Sequence, residues 1–131
     1  MKALILLAVA LSPGLLRAQS QCVQENATLS GSYITKAVGF AGGNPVAVVG
    51  ISTYDGKGNF QFTATVSQNG TIVRGGGPGT YAVNRDCTGT QTFGPGFAHY
   101  DFVVSENGDK VIYIQTDTGT TITVTSVRLR R

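Results

Sequence analysis

The strongest constraint in this sequence is an alternation of apolar and polar residues with a period of two, broken at short intervals by turn-forming pairs. Phe60, Phe62, Ala64 and Val66 alternate with Gln61, Thr63, Thr65 and Ser67. Tyr100, Phe102 and Val104 alternate with His99, Asp101 and Val103. Ile112 and Ile114 alternate with Val111, Tyr113 and Gln115, and Ile122 and Val124 with Thr121, Thr123 and Thr125. Successive side chains of a β-strand point to opposite faces, so each run has one buried and one wet face. The Thr, Val, Ile and Tyr that fill these runs suit a pleated, half-buried surface. We therefore place Phe60, Phe62, Tyr100, Phe102, Ile112, Ile114, Ile122 and Val124 inside. Gln61, Thr63, Thr65, His99 and Asp101 then face outward.

Turn signals separate the runs. They are Gly42-Gly43-Asn44-Pro45, Asp55 to Asn59, Asn69-Gly70, Asn84 to Cys87, Gly94-Pro95-Gly96, Asn107-Gly108 and Thr118-Gly119. Asn69-Gly70 and Asn107-Gly108 predict two-residue type I′ hairpins, which need positive φ at both central residues. Strands are expected near 30–40, 46–54, 59–68, 71–83, 88–93, 98–105, 110–116 and 120–129. The fourth contains Gly75-Gly76-Gly77-Pro78, so it either bends sharply or divides, giving eight or nine strands. Short links between successive strands imply an antiparallel meander. The expected fold is all-β, an antiparallel up-and-down β-barrel of about eight strands, because closure removes exposed edges. A two-sheet β-sandwich is the alternative. The interior of an eight-stranded barrel is filled by side chains or holds one small ligand.

Residues 1–18 read as a signal peptide, leaving 19–131 as a single domain. Lys2 supplies the positive start, the run from Ala3 to Leu16 is apolar apart from Ser12, Pro13 and Gly14, and Ala18 is small enough to precede a cleavage site. That run is shorter than the roughly 20 residues of a membrane-spanning helix, and no second one follows. The reading is a secreted or periplasmic protein with no transmembrane segment. The chain has 10 Lys+Arg and 7 Asp+Glu. Without Lys2 and Arg17 the charges nearly balance, and Arg128, Arg130 and Arg131 cluster at the C-terminus. A nucleic-acid binder should carry a basic face, so no nucleic acid is expected as a partner.

Cys22 and Cys87 are an even count in an exported chain, which reads as one disulfide. No further Cys or His stands at ligand spacing to complete a four-ligand metal site, and no cofactor is expected. Catalytic patterns are weak. His99 could act as a base with Asp101 on the same strand face. Gly50-Ile51-Ser52-Thr53-Tyr54 lacks the final glycine of a nucleophile elbow. Glycoside chemistry needs two carboxylates at a controlled separation, but Asp55, Asp86, Glu106 and Asp109 fall in turns, where Asp commonly bonds its own backbone. Gly75 to Thr80 has no Lys-Ser/Thr to hold a phosphate. Lys57 occupies a position where a calcium loop needs an oxygen ligand. We assign no catalytic residue. Tyr33, Tyr54, Tyr81 and Tyr100 lie in strands, and a tyrosine pairs a large apolar ring with one hydroxyl. They are the candidate ligand-binding residues, with ordinary core packing as the alternative.

Two segments carry a family resemblance. Gly50 to Asn59 and the stretch GTYAVNRDCTGT, residues 79–90, resemble a widespread, uncharacterised family of small secreted bacterial β-proteins. Its members share a DGxGN hairpin, an Asn-Gly turn and a GTYxVNxDCTGT motif, here over about residues 29–128. The resemblance implies bacterial origin, export and a β fold, and no activity. The leading function is non-enzymatic binding of a small apolar or amphipathic ligand. The alternatives are a structural or adhesive surface module, or a barrel isomerase or cyclase, which would need His99, Asp101 or a tyrosine inside the cavity.

One prediction tests the cysteine reading. Closing a loop of this length stabilises a fold by about 4 kcal/mol on the chain-entropy model. Thiol labelling of the unreduced, denatured protein should find no free thiol, and reduction should lower the melting temperature. Two labelled thiols per chain would exclude the bond.

Overall fold

The computed structural model describes residues 21–130; the signal peptide expected over 1–18 lies outside the described residues. A short 3-10 turn, Glu25–Thr28, precedes eight strands. They are β1 (Ser30–Ala41), β2 (Asn44–Asp55), β3 (Asn59–Gln68), β4 (Thr71–Val83), β5 (Thr88–Phe93), β6 (Ala98–Val104), β7 (Lys110–Gln115) and β8 (Thr120–Arg128). Each pairs antiparallel with the next, and β8 returns to β1, so the sheet is a closed up-and-down barrel.

The glycine-rich stretch does not divide β4. It makes room for rings. Phe60 of β3 pairs directly with Gly79 of β4, and Phe102 of β6 with Gly89 of β5. A Cβ on Gly79 would lie 2.4 Å from the Phe60 ring, and one on Gly89 would lie 2.3 Å from the Phe102 ring. Each inward phenylalanine thus lies across the bare backbone of its partner strand, an arrangement that covers a glycine which would otherwise weaken the strand.

The register of the third, sixth and eighth strands matches the alternation, with Ile122 and Val124 of the eighth buried. Phe60 and Phe102 are buried, while His99 and Asp101 face outward. The seventh strand is a correction. Val111 and Tyr113 are fully buried, whereas Ile112 and Ile114 are about half exposed. Both phases of this strand are apolar, so alternation alone does not choose between them. The ladder chooses, because Val111 pairs with Val104 and Tyr113 with Phe102, and cross-strand partners share a face.

The hairpins at Asn69-Gly70 and Asn107-Gly108 differ. Asn69 and Gly70 have φ of 51° and 87°, and Gln68 pairs with Thr71 across them, as a type I′ turn requires. At the second site only Gly108 has positive φ, and residues 105–109 form a longer loop. Asn107 works there through its side chain. Its Oδ1 accepts from Asp109 N and Ser105 Oγ, an Asx-type bond that replaces the expected tight turn.

The N-terminal segment plugs one end of the barrel. Cys22 is bonded to Cys87 in the β4–β5 loop, and Cys22 N donates to Arg85 O. The Tyr81 hydroxyl donates to the carbonyls of Asn26 and Leu29, and Val83 N donates to Asn26 Oδ1. Arg128, the last residue of β8, reaches back to the carbonyls of Ser30, Thr28 and Asn107. Its guanidinium lies 5.3 Å from the Tyr33 ring centre. Its Nε stands 3.2 Å from Asp109 Oδ1 as an ion pair without hydrogen-bond alignment. The Tyr33 hydroxyl donates to Gly108 O, tying the β6–β7 loop to the same knot.

Gly108 is therefore constrained twice. It has φ of 77°, and a Cβ there would meet Thr28 O at 2.0 Å. Gly108→Ala should lower stability by more than about 1 kcal/mol, the usual cost of a side chain at positive φ. Lys110→Ala, on the exposed start of β7, should be nearly silent. Denaturation midpoints of the two variants check this; equal small shifts would mean that the plug does not press on this loop.

Candidate functional site

Above the plug the barrel is hollow. A cavity of about 270 Å³ extends toward the opposite end. Its upper walls are Val46, Val48, Phe62, Val66, Phe93, Ile122 and Val124, and Gln68 stands where it opens. The volume lies just under the roughly 300 Å³ at which ligand pockets commonly begin, so it suits a small molecule. Among the described residues, no Asp, Glu, Lys, Arg or His lines it.

The floor is built from hydroxyls and rings. Thr35, Ser52 and Ser126 are buried polar residues on β1, β2 and β8. Thr35 Oγ1 lies 2.9 Å from Ser52 Oγ and 2.7 Å from Ser126 Oγ. A buried hydroxyl without a partner costs about 1–3 kcal/mol, so the three stabilise one another by mutual bonding. Beside them the Tyr54 hydroxyl donates to Gln91 Oε1 at 2.7 Å. Its one hydrogen is then used, so the Tyr113 hydroxyl, 2.6 Å away, donates to Tyr54. Burial pushes the Tyr113 phenol up to about 12 and Tyr54 well above its ordinary value. The floor is neutral at any physiological pH.

This chain of bonds leaves two polar groups over. Gln91 spends its oxygen on Tyr54, and its amide nitrogen has no partner among the described residues. Tyr100 packs edge-on to Tyr113, with ring centres 6.3 Å apart, and among the described residues its hydroxyl has no hydrogen-bond partner. Both side chains line the cavity. They are direct cross-strand partners on β5 and β6 and so lie side by side on the inner wall.

Of the four candidate tyrosines, Tyr100 alone lines the cavity. Tyr33 and Tyr81 lie in the plugged end with their hydroxyls bonded to backbone carbonyls. Tyr54 lies beneath the floor, its ring stacked on Phe60 with centres 5.3 Å apart. The sequence reading passed over Gln91, Thr35, Ser52 and Ser126. Gln91 had a signal: it is a polar residue in the inward phase of a strand, between Gly89 and Phe93.

His99 stands outside the barrel, near the mouth. Its partner is Asp117, not Asp101. His99 Nδ1 lies 2.7 Å from Asp117 Oδ1, and His99 N donates to Asp117 Oδ2 at 2.8 Å. Gln115 Nε2 donates to the same carboxylate. Asp117 ties the β7–β8 turn to the start of β6. Among the described residues, no group of three or more His, Cys, Asp or Glu is placed to hold a metal ion, and no helix is long and apolar enough to cross a membrane. The chain matches no family model, and no curated protein or solved structure matches it at a significant level.

The backbone and side-chain bonds from His99, with that from Gln115, lower the Asp117 pKa from 3.8 to about 2. A lowered folded-state pKa stabilises the fold above the unfolded value, and that stabilisation is lost as pH falls through the folded one. Wild-type protein should therefore lose stability between pH 3.8 and about 2 more steeply than Asp117→Asn. Asp55 and Asp86 are lowered as well, but they are common to both proteins and cancel in the comparison. Parallel stability curves over this range would remove the role given to Asp117.

Proposed function

We propose that this chain is a secreted or periplasmic, non-enzymatic carrier that takes a small, largely apolar molecule into its barrel. The observation that carries the reading is the 270 Å³ space above the hydroxyl floor, lined mainly by aliphatic and aromatic side chains. A buried apolar cavity attracts apolar solutes because their transfer from water is favourable. The disulfide fits an oxidising compartment. The resemblance to the small secreted bacterial β-proteins supports the same placement. An enzymatic reading has less support, since His99 and Asp101 point to solvent and, among the described residues, no charged group lines the cavity.

A structural or surface module is the second reading. Val38, Phe40 and Val49 are more than half exposed on the outer wall of β1 and β2, and outward apolar residues favour contact with other surfaces. Adhesion by strand addition would be confined to residues 71–78 of β4, which run past the first β4–β5 pair at Gly79.

The carrier reading is tested with N-phenyl-1-naphthylamine, an uncharged probe that brightens in apolar surroundings. Wild-type protein should bind it at a single site and raise its emission. Val48→Phe fills the cavity wall and should weaken binding by about tenfold or more, with an unchanged far-ultraviolet spectrum. No response from folded wild-type protein, or equal binding by Val48→Phe, would overturn the reading.

A further inference from the structure

We propose that the cavity selects uncharged ligands that carry a carbonyl oxygen, and that Gln91 and Tyr100 form the seat for that oxygen. The inference rests on the carrier reading and gives it a ligand class. Three observations lead to it.

The first is the surplus of donors. As placed, the Gln91 oxygen takes the Tyr54 hydrogen at 2.7 Å, which leaves the amide nitrogen outside that bond. The side chain lines the cavity, and in this orientation its amide nitrogen meets no partner among the described residues. The Tyr100 hydroxyl is free to donate as well. The two side chains are cross-strand partners, so one acceptor oxygen can lie between them. A carbonyl has two lone pairs and accepts from both.

The second is the absence of charge. A carboxylate entering this space would lose its water without meeting a cation, since among the described residues no Lys, Arg or His lines the wall. Asp117 near Tyr100 adds repulsion for an anion. An ammonium group would find no carboxylate inside, because Asp117 is engaged by His99 and Gln115 at the rim. Polar but uncharged ligands avoid both costs.

The third is the distribution of the walls. Away from Gln91 and Tyr100, toward the mouth, the cavity is walled by Val46, Val48, Phe62 and Val66. A ligand with its carbonyl on the Gln91–Tyr100 pair has its apolar body among these side chains. Specificity for such a group arises because a pure hydrocarbon would bury the two donors unmet.

The test is displacement of N-phenyl-1-naphthylamine by three competitors of equal chain length at neutral pH: a medium-chain methyl ketone, the alkane and the carboxylate. Each affinity is referred to the competitor's free concentration in water. Transfer from water alone favours the alkane, so the methyl ketone is also compared with a methyl ether of the same length, which offers a weaker acceptor. The ketone should bind about tenfold more tightly than the ether and than the carboxylate. Tyr100→Phe removes a hydroxyl that has no hydrogen-bond partner among the described residues, so it should leave the melting temperature unchanged while cutting the preference for ketone over ether. Gln91→Leu should cut it further and still bind the probe. The alkane serves as the reference for the apolar body, and its affinity should rise in Tyr100→Phe, which removes one donor that the alkane leaves unmet. Equal binding of ketone and ether, tighter binding of the carboxylate, or a preference that survives both substitutions would overturn the seat while leaving the carrier reading in place. Failure of folded wild-type protein to bind probe and competitors alike would remove both.

Discussion

The ladder between β8 and β1 is the constraint on which the remaining structure depends. It joins Tyr33 to Arg128 and Ala41 to Thr120, and with them the two ends of the chain. Once it forms, every strand has two neighbours, and every inward position must agree in phase with its partners on both sides. Thr35 faces Ser126 through this ladder, and the hydroxyl floor exists because of it. Arg128 reaches the plug because the ladder sets its strand beside β1. The disulfide acts on the same end, holding the segment before β1 against the β4–β5 loop. Closure and plug thus reinforce each other: one fixes the ring and the other caps it.

The strand order and bounds were largely legible in the sequence, since they follow from local chemistry. Period-two alternation marks strands, and Gly, Pro and Asn mark turns, without reference to any distant residue. Asn69-Gly70 behaves as such a local signal should. Asn107-Gly108 does not, because its loop must also receive the Tyr33 hydroxyl and the Arg128 guanidinium. A contact across the barrel outweighs the dipeptide. The phase of β7 was hidden for a related reason. Val111, Ile112, Tyr113 and Ile114 are all apolar, so only pairing with β6 reveals which two face inward. The hydroxyl floor was invisible because Thr and Ser are ordinary residues of outward phases, and their meeting across β2, β1 and β8 is non-local.

Charge is divided along the barrel axis. Glu25, Asp55, Lys57, Arg85, Asp86, Glu106, Asp109, Lys110, Arg128 and Arg130 belong to the plugged end, its loops and the adjoining strand ends. Lys36, Arg74 and Asp101 lie on the outer wall. At the mouth stands Asp117, neutralised in part by its bonds to His99 and Gln115. The turns there are built instead from Gly42, Gly43, Pro45, Asn69, Gly70 and the Gly94–Phe97 loop, with Phe97 largely exposed. An apolar solute approaching this end meets little organised charge, whereas the other end is shut by hydrogen bonds and ion pairs.

Side-chain size along the inner face explains why the space lies where it does. Toward the plug the inward positions hold Tyr33, Tyr54, Phe60, Tyr81, Phe102 and Tyr113; the Tyr54 ring meets those of Tyr33, Phe60 and Tyr81, and the Tyr113 ring meets that of Phe102. Each such pair adds about 0.5–1.5 kcal/mol beyond the area it buries. Toward the mouth the inward positions hold Ala37, Ala41, Val46, Val48, Ala64 and Val66. Toward the mouth β8, β1, β2, β3 and β4 run on past the last β4–β5 and β7–β8 pairs, and the small inward side chains there leave volume unfilled. Packing such a level fully would stabilise the barrel, because each empty space forfeits contacts among its lining atoms. The aromatic half therefore carries the stability of the fold. The aliphatic half is free to stay open, and its position directly above Gln91 and Tyr100 gives the opening a polar end.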